Sequence, residues 1–281
     1  MYRPLEIFVG LRYLRARRQN QFVSFISLMS LLGVAVGVAA LIVVLSVMNG
    51  FENELRHRLL AMTSHATISG PEQRLADWET VASRALEDPG VIGAAPFVEI
   101  QGMLGNAARL KAVLVRGVLP EREGAVSDVG GHLIAGDLGQ LIPGANQVIL
   151  GRLLAGQLGV APGDRVTLLI PRGESDGLIP KLRSLTVTGV FEVGMQEHDS
   201  LLALVHMEDA AAIMGIGHDV GGVRLKLENM FQAPSVSAAL SASLGERFIG
   251  TDWTQENASY FRAVRIEKTM MTIVLLLVVA V

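Results

Sequence analysis

Hydrophobic positions along this chain fall into two regimes. Between Arg18 and Glu52 lie 33 residues without a formal charge, among them FVSFISLMSLLGVAVGVAALIVVLSVM. About 20 apolar helical residues cross the ~30 Å hydrocarbon core of a bilayer, so the run is ample for a span. A cleaved signal peptide is the competing reading, but its apolar stretch is only about 7–15 residues long. This one is longer and runs into MNGFENELRHRLL, where charges interleave with Leu55, Leu59 and Leu60 as in a helix continuing into water. The pattern predicts an uncleaved span over 21–50 that extends into a stalk. A second apolar run closes the chain: after Lys268, the thirteen residues Thr269–Val281 are all uncharged. As a helix they reach about 20 Å, too short to cross. Taken alone, the run also reads as a buried C-terminal helix of a soluble domain. Beside the first span, it is expected to be the start of a second one over 263–281, truncated part-way across.

Between the apolar runs the periods shorten to those of a water-soluble α+β domain. HATISG reads as a strand. DWETVASRALED places Trp78, Val81, Ala82, Ala85 and Leu86 on one helical face, with Asp77 as N-cap. PG at 89–90 ends that helix, and VIGAAPFVEI and RLKAVLVRGV follow as strands. A similar order returns later, with the alternating strand GVRLKLEN, the helix APSVSAALSASLG and the strand RFIGTDW. These two units, 63–118 and 220–252, are expected to form one split α+β layer. A β-rich subdomain over 119–219 is expected between them. It is built from NQVILG, the helix RLLAGQLG, the turn APGD, the strands RVTLLI, SLTVTGVF and LLALVHM, and the helix EDAAAIMG.

Charge orients the chain. Residues 1–20 carry five arginines against one glutamate, whereas 51–262 carry 17 basic and 25 acidic side chains. Juxtamembrane arginine stays cytoplasmic. The N-terminus is therefore expected in the cytoplasm and the 51–262 region outside the inner membrane, in the periplasm of a Gram-negative cell. RPLEIFVGLRYLRARR reads as a cytoplasmic interfacial basic helix over 1–20, or as a disordered basic tail. Half the residues are hydrophobic although 51 are charged, which fits segregation into lipid-soluble and water-soluble parts. With no cysteine there is no disulfide framework, no thiolate metal site and no cysteine nucleophile.

Catalytic motifs are missing. There is no G-x-x-x-x-G-K-[ST] phosphate loop, no G-x-S-x-G elbow and no H-E-x-x-H. GIGHDVGG reads as a turn. EHDS at 197–200 sets two carboxylates around an imidazole, and a structural loop is the better reading than a metal site. The span is more informative: Gly33 and Gly37 form G-x-x-x-G, which lets helices approach closely in lipid, although glycine also falls there by chance.

Five stretches in order carry a resemblance: SFISLMSLLGVAVGVAALIVVLSVMNGFENELRHRLL, VRGVLPERE, GRLLAGQLGVAPGDRVTLLIP, GVFEVGMQEHDS, and Trp253, Asn257 and YFRAVRIEKTMM. Together they closely resemble the lipoprotein-releasing permeases, the LolC/LolE family of ABC transporter permease subunits, over essentially the whole chain. His198 stands where the family usually has tyrosine. The resemblance implies an α+β membrane protein whose transmembrane helices flank a large two-part periplasmic domain. It also implies third and fourth spans beyond this chain. It implies a non-catalytic permease that binds no cofactor itself, paired with a second permease subunit, same or homologous. ATP and Mg would sit on a partner ATPase dimer. Such a complex extracts lipoproteins from the outer leaflet of the inner membrane and hands them to a periplasmic chaperone. By position, Val44, Val47, Met48, Phe51 and Leu55 match the family segment lining the lipoprotein cavity; they could instead face lipid or a sister helix. The loop PRGESDGLIPKLR falls where one family branch carries a chaperone-gripping hook, which makes Pro171, Arg172, Pro180 and Lys181 contact candidates; an ordinary hairpin connection is the alternative. Two other readings compete with lipoprotein release. One is a membrane-anchored scaffold or regulator of an envelope enzyme, and the other is a related exporter of a small molecule or peptide.

Overall fold

The computed structural model describes residues 21–62, 64–107, 109–171, 173–174, 177–178, 181–245 and 247–256, together with seven positions between 262 and 274. By contact density the chain divides into two units, residues 1–55 with 259–281, and residues 56–258. The expected basic helix over 1–20 lies outside the described residues.

The first helix, α1 (Gln21–Met62), is unbroken for 42 residues. Its segment Leu28–Val47 has a mean hydropathy of 2.8 and is nowhere buried, so by length and composition it can cross a membrane. Gly33, Gly37 and Gly50 do not break it. Of residues 257–281, Arg262, Ile266, Thr269–Met271, Ile273 and Val274 are described and helical.

Residues 66–252 build one hydrogen-bonded sheet of ten strands. In chain order its elements begin with β1 (Ala66–Ser69), α2 (Trp78–Ala85), β2 (Val91–Asn106), β3 (Arg109–Val118) and the single turn α3 (Pro120–Glu123). Next come β4 (Leu133–Ala135), β5 (Gln147–Gly151), α4 (Arg152–Leu158) and β6 (Arg165–Ile170). A separate two-residue ladder, β7 (Gly173–Glu174) and β8 (Gly177–Leu178), precedes β9 (Lys181–Phe191). The chain continues through α5 (Gln196–Leu201), β10 (Leu202–His206), α6 (Met207–Met214), β11 (Gly222–Leu227), α7 (Ala233–Leu244), β12 (Ile249–Asp252) and α8 (Trp253–Glu256). The sheet order is β12-β1-β11-β2-β3-β10-β5-β9-β4, and β6 pairs with both β2 and β9. That double pairing closes β2-β3-β10-β5-β9-β6 into a ring of six strands. It leaves no open edge where the sheet is widest.

The sixteen-residue β2 makes this arrangement possible. It runs past the predicted VIGAAPFVEI to Asn106, pairing its first half with β11 and its second with β6. The ring and the β12-β1-β11 layer are therefore continuous through one strand. On the layer, α7 packs over β1 and β12 while α2 packs over β2 and β11. Trp78, Val81, Ala82 and Ala85 are buried as the helical period predicts, but Leu86 is 45% exposed because the helix has ended before it. Asp77 does precede that helix, although its side chain makes no capping hydrogen bond.

In the ring, Ile100, Leu104, Val115, Leu150, Val166, Leu168, Leu185 and Ala203 share one face, each at most 1% exposed. The opposite face carries Val118, Ile149, Phe191, Leu202 and Leu204, covered by Val129 and Leu141 of the intervening loop. Burial on both faces explains why VILG and LALV read as continuous apolar runs rather than alternating ones. Gly117 permits α6 to lie against β3, since a Cβ there would sit 2.5 Å from Ala210 Cβ.

Candidate functional site

Helix periodicity brings together residues that the sequence had assigned to two different jobs. At about 100° per residue, positions 33, 37, 44, 48, 51 and 55 of α1 fall within about 40° of a common line, with 47 about 60° to one side. The glycine motif and the candidate cavity positions thus form one stripe along one helix. Val44 is 44% exposed and Val47 is 67% exposed, and a Cβ on Gly33 would meet nothing within 4 Å. Gly33, Val44 and Val47 are exposed and Gly37 is half-buried; the side chains of Met48, Phe51 and Leu55 lie outside the described residues.

The second candidate, the loop 171–181, is the outer end of a hairpin. β6 and β9 pair without interruption from Arg165↔Thr186 to Ile170↔Lys181, and β7 and β8 add Gly173↔Leu178 and Glu174↔Gly177 beyond. Pro171 is exposed, and Lys181 is tied to the base by Nζ donating to the carbonyl of Ile213 at 3.2 Å. Arg172 and Pro180 lie outside the described residues.

EHDS is a structural corner. Asp199, 3% exposed, accepts from the backbone N–H of Val193 at 2.9 Å and of Gly194 at 3.1 Å, fixing the turn between β9 and α5. His198 has an unpartnered Nδ1, and its pKa is lowered by burial and then by the nearby Arg116 charge. No group of three or more His, Asp or Glu suited to a metal exists among the described residues. GIGHDVGG is a turn, with Gly215 and Gly217 in the left-handed region at φ 73° and 69°.

The sheet face away from α2 and α7 carries a cluster that sequence reasoning missed. Cross-strand register sets Thr251, Thr67, Arg224 and Ala95 in one row, and Ile249, Ser69, Gly222 and Phe97 in the next. Glu99 and Arg116 lie opposite each other one step on, joined by Arg116 Nε and Nη2 donating to Glu99 Oε1 at 3.0 and 2.7 Å. Arg224 is 2% exposed; its Nη2 donates to Glu123 Oε2, and its guanidinium lies 5.9 Å from the Phe97 ring centre. Burial lowers the Arg224 pKa, with Glu123 opposing that shift. The sequence signal for this cluster is the charge inside the apolar alternation of GVRLKLEN, a pattern that reads as an alternating, half-buried strand and does not say that Arg224 is enclosed.

Comparison with known proteins decides the family. Residues 27–243 match the model of the MacB-like periplasmic core domain. The chain is 43% identical, over its whole length and 68% of the relative's, to the lipoprotein-releasing system transmembrane protein LolC of Xylella fastidiosa. This chain belongs to the LolC/LolE permease family. LolC of Neisseria meningitidis is 42% identical over 99% of this chain and 68% of its own. LolE of Haemophilus influenzae is 31% identical over 98% and 67%. As a LolC/LolE permease of the lipoprotein-releasing ABC system, the chain is a non-catalytic transmembrane subunit carrying a MacB-like periplasmic α+β domain.

Proposed function

We propose that this permease draws lipoproteins out of the outer leaflet of the inner membrane and passes them to a soluble periplasmic chaperone. The work is driven by an ATPase dimer that binds ATP and Mg, and a second permease subunit, same or homologous, completes the membrane part. The observation that carries the reading is the match, over the whole of this chain and 68% of the relative's length, to a LolC relative at 43% identity. The arginines of residues 1–20 support a cytoplasmic N-terminus, which puts the domain within 51–262 in the periplasm and makes 263–281 the start of a return span. In that frame the domain has two parts, the layer of 63–118 with 220–252 and the block 119–219.

The stripe on α1 supplies the surface for cargo. Acyl chains entering beside Val44, Val47, Met48, Phe51 and Leu55 trade lipid for an apolar wall, which has little net cost. Methionine adapts to chains of different shape. Because Gly33 and Gly37 continue the same line, this stripe closes against the partner permease at one end and opens to cargo at the other. The hairpin carrying Pro171, Arg172, Pro180 and Lys181 is the surface proposed for the chaperone.

The test is co-purification of the full-length gene product from detergent-extracted membranes, with mass spectrometry of everything retained. A stoichiometric ATPase, with lipid-modified proteins trapped when ATP is withheld, is the expected result. A preparation carrying an envelope hydrolase instead, or neither partner, refutes the reading.

A further inference from the structure

Strand β2 has a gap in its pairing. On the side away from β3 it pairs with β11 as far as Phe97↔Gly222 and with β6 from Met103↔Leu169 onwards, so Val98 to Gly102 pair with β3 alone. Backbone groups of successive residues point to opposite sides of a strand. Phe97 C=O accepts from the N–H of Gly221 on the β11 side at 2.8 Å, so the N–H and C=O groups of Glu99 and Gln101 point the same way, into the gap. Among the described residues, neither has a strand partner on that side. The flanking strands turn off for local reasons. Val220, next in line after Gly221, is drawn away by its two backbone bonds with Leu75. Pro171, which the β6 register would set opposite Gln101, has no N–H to continue the ladder. A cleft of about 470 Å³ opens where β2 and β6 part, with Ile100, Gln101, Ile170, Ile213 and Met214 on its wall. Gln101 is exposed and Glu99 half-buried, so this edge is open to solvent.

We propose that the gap is a docking site for an extended polypeptide segment of a partner, which adds to β2 as a short antiparallel strand between β11 and β6. A peptide backbone is the ligand whose donors and acceptors repeat at the spacing of Glu99 and Gln101. Both flanking strands run antiparallel to β2, and a strand added in their line runs the same way. At ~3.4 Å per residue the gap holds about three residues. The outer two exchange hydrogen bonds with Glu99 and Gln101. The middle one lies opposite Ile100 and sends its side chain to the face of Ile100. That face is the one α6 covers, since Ile100 pairs with Val115 and α6 meets the same side of β3 at Gly117. There Ile170, Ile213 and Met214 form an apolar wall, and the flexible methionine adapts to the side chain that enters. Lys181 Nζ, donating to the carbonyl of Ile213 at 3.2 Å, holds the β9 side of the cleft to α6. The pattern recognised is therefore one aliphatic side chain within a stretch free to lie extended. The site uses no residue of the α1 stripe, and its failure leaves the lipoprotein-release reading untouched.

The experiment is hydrogen exchange of the full-length permease, purified in detergent with its partners, read by mass spectrometry over 97–103 while a capped Ser-Thr-Leu-Thr-Ser peptide is titrated. The amides of Glu99 and Gln101 are expected to exchange fast in the free protein and at least about tenfold more slowly at saturation. A peptide N-methylated at both threonines cannot donate to β2 and is expected to bind at least about tenfold more weakly. Gln101→Pro removes a donor that faces the gap and none that faces β3, so the β2-β3 ladder stands; about fivefold weaker binding is expected. Amides already slow without peptide, and freed when the partners are stripped off, identify a partner subunit as the source of the added strand. An N-methylated peptide that binds as tightly as its parent overturns strand addition and leaves an apolar side-chain pocket. Fast exchange at Glu99 and Gln101 under every condition, with no saturation by about 10 mM peptide, overturns the site.

Discussion

Replacing Asp199 tests whether EHDS is a structural corner. The carboxylate is 3% exposed and holds the N–H groups of Val193 and Gly194 at 2.9 and 3.1 Å. Asp199→Ala removes both acceptors and leaves two donors with restricted access to water. A buried donor left unsatisfied costs about 1–3 kcal/mol. Since Val193 is only half-buried and Gly194 is exposed, water recovers much of this, and about 1–3 kcal/mol in total is expected. For a folded unit of about 200 residues this corresponds to a midpoint lowered by about 2–12 °C. Asp199→Asn keeps one carbonyl oxygen and is expected to lose about half as much. The exposed pair Arg152–Glu192, at 2.7 Å with side chains 54% and 36% exposed, supplies the contrast; Glu192→Gln is expected to move the midpoint by about 2 °C or less. The assay is thermal unfolding of the detergent-solubilised protein, with hydrogen exchange of the peptide covering 190–200 as a local readout. Exchange there is expected to accelerate in Asp199→Ala and not in Glu192→Gln. An Asp199→Ala midpoint within about 1 °C of wild type would falsify the corner, and so would a large drop on adding a chelator to the wild type, which a metal site predicts.

Val47→Asp sets a charge on the exposed α1 stripe and is expected to block lipoprotein release while complexes still assemble; normal release by assembled mutant complexes would sink the cavity assignment. Gly117→Val forces a side chain onto Ala210, 2.5 Å from the first added carbon. It is expected to destabilise the domain by about 1–3 kcal/mol, whereas Gly124→Val, with open space around it, should cost under about 1 kcal/mol. His198 has a folded-state pKa below its ordinary 6.5, because burial and Arg116 disfavour the charged form. Its contribution is therefore fully present above pH 6.5 and is lost as pH falls from there towards the lowered folded value, where the unfolded chain binds the extra proton. His198→Tyr is expected to flatten this part of the stability-versus-pH curve, as read by denaturant unfolding between pH 5 and 7.5; an unchanged slope would remove His198 as its source.

The elements that were legible in the sequence are those whose side chains face one environment each. The α1 run declared itself because every turn is apolar, and α2 because Trp78, Val81, Ala82 and Ala85 repeat at the helical period. Strand ends were harder. β2 changes partners midway, from β11 to β6, so its second half, QGMLGN, carries the mixed pattern of a strand with half-buried faces and was not read as a strand. β4, only three residues from Leu133 to Ala135, exists through its pairing with β9 and has no local period to announce it. The ring closure is a long-range fact, since β6 joins β2 across more than sixty residues of chain. The Arg224 cluster was hidden for a related reason. An arginine in an alternating strand reads as solvent-facing, and only the approach of Glu123 from a turn about 100 residues earlier makes it buried.

Cross-strand register also bears on how a permease domain is loaded. The chain enters the sheet from α1 through His65 into β1 and leaves it through β12 into Trp253. Those two strands are neighbours, paired antiparallel from Ala66↔Asp252 to Ser69↔Ile249. Entry and exit therefore meet at one rung, where Trp253 N–H donates to the carbonyl of His65 at 3.2 Å and His65 N–H donates to Leu225 at 2.9 Å. Trp253 is anchored further by its ring nitrogen donating to Met230 at 2.9 Å. A short antiparallel ladder of four pairs is weak against peeling from its end but resists shear, because all its bonds then load together. His65 is tied to β11 and Trp253 to Met230, so the first and last strands of the domain are held to each other and to the layer behind them at the end where the chain enters and leaves.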